Sequence, residues 1–138
     1  MCLVVHEAKL YRDTEQFGQM DPFVQLTTSD GVKHRTRVLQ DAGKEPKWNQ
    51  LLEIPTRITE QVKVTVYDED IMMDDFVGEC MLSVEEMCAM GESKPRWFDL
   101  NYEGKKAAEI MLSGHWAQKT SSKTSELKIN TQDPKLMG

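Results

Sequence analysis

Apolar and polar residues alternate with a period of two along much of this chain, the signature of strands that bury one face. The clearest run sets Val62, Val64 and Val66 against Lys63, Thr65 and Tyr67. Comparable runs fall near 2–9, 22–28, 33–39, 50–55, 76–83, 96–100 and 108–115, parted by connections rich in Gly, Pro, Asp and Asn. Eight short strands predict an all-β, antiparallel sandwich. One helical turn is expected over Val84 to Met90, where Ser83 caps a start containing Glu85 and Glu86 and Gly91 ends it. From Gln118 onward Lys, Ser, Thr, Asn and Gln dominate, with Leu127 and Ile129 isolated, too little apolar surface to offset the entropy of ordering. The expected division is a domain over 1–117 and a flexible tail or linker over 118–138.

A chain of 138 residues supports one hydrophobic core. Its net charge of -6 argues against a nucleic-acid partner, which needs a dominant basic excess. The apolar runs are far too short to span a bilayer. Met1 to Ala8 lacks a basic leader and a small-residue cleavage site, so it reads as a strand and not a signal peptide. Cys2, Cys80 and Cys88 lack metal-ligand spacing and fit small buried hydrophobes in a reducing, cytoplasmic setting. No Ser/His/Asp arrangement, Gly-rich phosphate loop or zinc spacing suggests an enzyme, and His6, His34 and His115 fall in expected strands. A monomer is expected.

Chemistry gathers in the connections. Hard divalent cations take six to eight oxygen ligands, drawn from carboxylates, amides and backbone carbonyls of several loops. Such oxygens occur between Glu15 and Asp21, at Trp48-Asn49, and over Asp68-Glu69-Asp70 with Asp74-Asp75. Exposed loop carboxylates are ordinarily just solvated, and an Asp before Pro is a common turn starter. A cluster is different, because two carboxylates at about 4 Å repel by roughly 1 kcal/mol in water and about 4 at an effective dielectric of 20.

The same segments resemble the C2 domain family over most of residues 1–116. Gly18-x-x-Asp21-Pro22-Phe23-Val24 is similar to its first calcium loop and following strand, Arg35-Thr36-Arg37-Val38 to its basic strand, and Lys44-x-Pro46-x-Trp48-Asn49 to its second loop. Val64-x-Val66-Tyr67-Asp68-Glu69-Asp70, then Asp75-Phe76-Val77-Gly78-Glu79, resembles the third; Trp97-Phe98-x-Leu100 and Glu109-Ile110-x-Leu112 match the closing strands. One strand before the first loop and an extra strand after Trp97 resemble the permuted topology of phospholipase-type members and small plant C2 proteins.

The resemblance implies a calcium-dependent phospholipid-binding module, peripheral to membranes, with Ca2+ as its cofactor. Carried over position by position, it makes Asp21, Asp68 and Asp70 ligands, with Asn49 as an amide oxygen and Asp74 or Asp75 completing the third loop. Glu15 stands where the family usually has its first aspartate, and the third loop is one residue shorter than the commonest form. Ile71, Met72 and Met73, with Phe17 and Met20, are the apolar residues expected to meet lipid. Lys33, Arg35 and Arg37, with Lys63 opposite, match the strand that can bind phosphoinositide headgroups in the family, although Phe23 replaces a tyrosine often found there. The alternative is an adaptor of the same fold that ignores calcium and binds a protein partner.

Overall fold

The computed structural model describes residues 1–15, 18–88 and 94–116. Phe17 and the segment 118–138 lie outside them. Eight strands run in chain order as β1 (Cys2–Leu10), β2 (Pro22–Thr27), β3 (Lys33–Arg35), β4 (Lys47–Glu53), β5 (Gln61–Asp68), β6 (Asp75–Ser83), β7 (Arg96–Tyr102) and β8 (Lys105–His115). All pair antiparallel, in the order β3-β2-β5-β6-β7-β8-β1-β4. β6 and β7 meet only at Glu79–Asn101, so the ribbon folds there into two four-stranded layers. On the opposite side the Arg37 guanidinium donates to the Trp48 carbonyl, and its backbone N–H donates to Gln50 Oε1 at 2.9 Å. The result is a nearly closed C2-type sandwich.

Alternation explains the core. Val62, Val64 and Val66 of β5 meet Val24 and Leu26 of β2 from one layer, while Leu3, Val5, Ile110 and Leu112 face them from β1 and β8. Each such side chain contributes about 1.5–3 kcal/mol when fully buried. Trp48 is wholly buried among them.

The structure moves several boundaries. β3 is only three residues long, because the chain leaves the ladder at Thr36, whose hydroxyl accepts the Val24 N–H at 2.9 Å. β4 begins at Lys47, so Trp48 and Asn49 lie in a strand and not in a connection. The helix α1 (Val84–Met87) starts in a full capping box, with the Ser83 hydroxyl accepting from Glu86 N and the Glu86 carboxylate accepting from Ser83 N. Cys88 is buried, and Cys2 and Cys80 are half-buried. Burial pushes the Cys80 thiol up to about 12.

Candidate metal site

Strand register brings distant acids to one end of the sandwich. Asp68 ends β5 and pairs with Pro22, which opens β2, and with Asp75, which opens β6. Proline suits the start of β2, where no ladder N–H is required, and it holds Asp21 extended. The Glu69 N–H donates to the Asp21 carbonyl at 2.9 Å, tying the segment before β2 to the β5–β6 connection. The β3–β4 connection joins them: Leu39 N–H donates to the Pro22 carbonyl, and Gly43 N–H to that of Met20, both at 3.1 Å.

Asp68 is the hub of this end. It is fully buried, and its two oxygens accept from the Thr14 hydroxyl and the Asp21 N–H, each at 2.8 Å. Around it, carboxylate oxygens of Glu15, Asp70 and Asp75 lie within 4.8 Å of one another. A hydrogen bond to Asp68 raises the Glu15 carboxyl to about 7, with repulsion from Asp68, Asp70 and Asp75 adding to it. Asp75 is raised as well, first by burial and then by Asp70 and Asp68. These crowded groups are all hard oxygen donors, the set that a divalent cation such as calcium takes, and a cation would relieve their repulsion.

The other acids divide by orientation. Asp70 Oδ1 accepts the Ile71 N–H at 2.6 Å, and Asp74 Oδ1 accepts the Asp70 N–H at 3.2 Å, so Asp74 braces the turn while Asp75 joins the cluster. Asp21 turns its carboxylate to the Asp41 N–H at 2.6 Å. Asn49 occupies the irregularity in β4 opposite His6 of β1, with φ of 46°. It belongs to the middle of a strand pair, several rungs from the acidic end.

Of the apolar residues expected to meet lipid, Ile71, Met72 and Met73 stand 98%, 92% and 78% exposed. Met20 is different: it is 1% exposed and belongs to the core, because the β3–β4 connection bonded to its carbonyl closes over it. Of the basic residues, three share one face of the sheet and Arg37 stands apart. Lys33 and Lys63 flank Thr27 in one row across β3, β2 and β5, Arg35 is held by Gln25 at 2.7 Å, and Arg37 is spent on Trp48 and Gln50. Sequence reasoning missed Thr14 and Asp41; neither has a pattern that distinguishes it, and only their O–H and N–H bonds to Asp68 and Asp21 reveal them.

Comparison with known proteins agrees with this architecture. The C2 domain family model matches residues 1–100. The 16 kDa phloem protein 2 of Arabidopsis thaliana is 28% identical over 115 residues, covering 80% of this chain and 76% of that protein. Synaptotagmin-5 of the same plant is 28% identical over 102 residues; the match covers 72% of this chain but 18% of that longer protein. The solved calcium-bound C2A- and C2B-domains of extended-synaptotagmin 2 share the fold, with a TM-score of 0.66 and 21% identity over 80% of this chain and 42% of theirs. With its antiparallel sandwich and a family match over residues 1–100, the chain belongs to the C2 domain family.

Proposed function

We propose that this chain is a calcium-dependent phospholipid-binding module and not an enzyme, acting in the cytoplasm and at the membrane surface. The observation that carries this reading is the placement of Glu15, Asp70 and Asp75 within 4.8 Å at the end of the sandwich that also exposes Ile71, Met72 and Met73. Without a cation the acidic end repels anionic headgroups. A bound calcium ion reverses the local field, leaves coordination positions for a lipid phosphate oxygen, and lets the apolar tip enter the interface. The calcium-bound relative of the same fold supports the reading.

Backbone amide NMR of the labelled chain under calcium titration, with magnesium as control, tests it. Saturable shifts confined to Thr14–Glu15, Asp68–Asp75 and their neighbours are expected. No saturable shift at millimolar calcium would remove it. One observation favours a second reading, a calcium-independent adaptor for a protein partner: Asp68 and Asp21 already have hydrogen-bond partners within the fold.

A further inference from the structure

Arg12 follows β1 three residues before Glu15. Its backbone N–H donates to the Ala107 carbonyl at 3.1 Å, and its guanidinium carbon lies 3.7 Å from the Tyr102 ring centroid. Tyr102 packs on Phe76 at 5.8 Å, next in sequence to Asp75, and the Arg12 charge acts on that carboxyl. Its Nε is buried without a partner, and among the described residues no carboxylate pairs with the guanidinium and no acceptor takes its N–H groups. A buried Nε–H without an acceptor, on a half-buried arginine stacked on an aromatic ring, is unusual, since buried polar groups are ordinarily paired. The guanidinium stacks on Tyr102 and makes no ion pair with Asp75.

We propose that Arg12 is the residue that couples the cation to the headgroup phosphate of a membrane lipid: it opposes the cation alone and favours the cation and phosphate together. The proposal rests on the calcium-dependent reading above. A fixed positive charge acting on the cluster repels a divalent ion, by on the order of fivefold in affinity when screened by water. When a lipid phosphate fills an open position on that ion, the same guanidinium gains an oxyanion that fits its planar fork, and the sign of its effect reverses. Arg12 therefore makes tight calcium binding conditional on a lipid surface, a coupling that is reciprocal between the two ligands.

The test is calorimetric calcium titration of the full chain and of Arg12→Gln, alone and with vesicles of phosphatidylcholine and phosphatidylserine. The expected result has opposite signs: Arg12→Gln binds calcium about fivefold tighter than the parent without vesicles and more weakly than the parent with them. Arg12→Lys, which keeps the charge and loses the fork, is expected to match the parent without vesicles and to fall below it with them. Tighter binding of Arg12→Gln in both conditions would make Arg12 a plain counter-charge and overturn the proposal. Weaker binding in both, or no change in either, would reduce Arg12 to a support for the loop or a cover for Tyr102, again overturning it. Inorganic phosphate in place of vesicles is expected to produce no reversal, and a reversal would overturn the lipid assignment. A parent chain that binds no calcium would instead remove the calcium-dependent reading itself.

Discussion

Asp68 and Asp70 stand two residues apart in one acidic run, yet their surroundings give them different tasks. Asp68 is buried and satisfies two donors, so Asp68→Ala is expected to cost about 2–4 kcal/mol in chemical denaturation by orphaning the Asp21 N–H and the Thr14 hydroxyl. Asp70 is exposed, and Asp70→Ala is expected to leave stability within about 0.5 kcal/mol while abolishing calcium-induced amide shifts. Glu15 sets the pH dependence. Its carboxyl is raised to about 7, so the protonated form is favoured in the folded, metal-free protein; that stabilisation is full below the ordinary glutamate range and is lost as pH rises through about 7. A cation must displace this proton, so calcium affinity is expected to rise between pH 6 and 8, with proton release visible as a dependence of the calorimetric heat on buffer ionisation. Sequence spacing points to all of these acids but leaves Asp74 and Asp75 as equals; the Asp74 bond to the Asp70 N–H and the place of Asp75 among the converging carboxylates separate them. Met20 was misread because a loop methionine carries no mark of the connection that covers it.

At the scale of elements, alternation together with the turn residues between runs revealed every strand, although β2 is buried on both faces and β3 on neither. It overextended β3, where alternating charges mimic a ladder that Thr36 in fact ends with its hydroxyl. The β5–β6 connection holds its apolar tip clear of the core, so replacing Ile71, Met72 and Met73 by Ser is expected to leave the calcium-induced shifts intact. Vesicle co-sedimentation should fall about tenfold or more, given that each side chain contributes up to about 1.5–3 kcal/mol on burial. Gly114 of β8 lies against α1: a Cβ there would stand 2.8 Å from the Met87 carbonyl oxygen, a backbone atom with little room to yield. Gly114→Ala is expected to destabilise the fold by about 1–3 kcal/mol, measured by denaturant midpoint, without altering calcium binding at the far end.

For the whole molecule, the fold class was legible in the sequence, as was the run of acids that gathers at one end as a candidate site, because acids interrupt the strand pattern at particular junctions. Which carboxylates converge was not legible, since that depends on pairing between strands remote in sequence, as when Asp68 meets both Pro22 and Asp75. This remoteness has a thermodynamic consequence. An ion shared by Glu15, Asp70 and Asp75 is a reversible cross-link between the connection after β1 and the connection after β5, absent from the unfolded chain. Calcium at about a hundred times its dissociation constant then adds about 2.7 kcal/mol to the folded state. On the calcium-dependent reading, the domain's resistance to heat and to proteases would rise with the surrounding calcium, and rise further where a lipid surface tightens its binding.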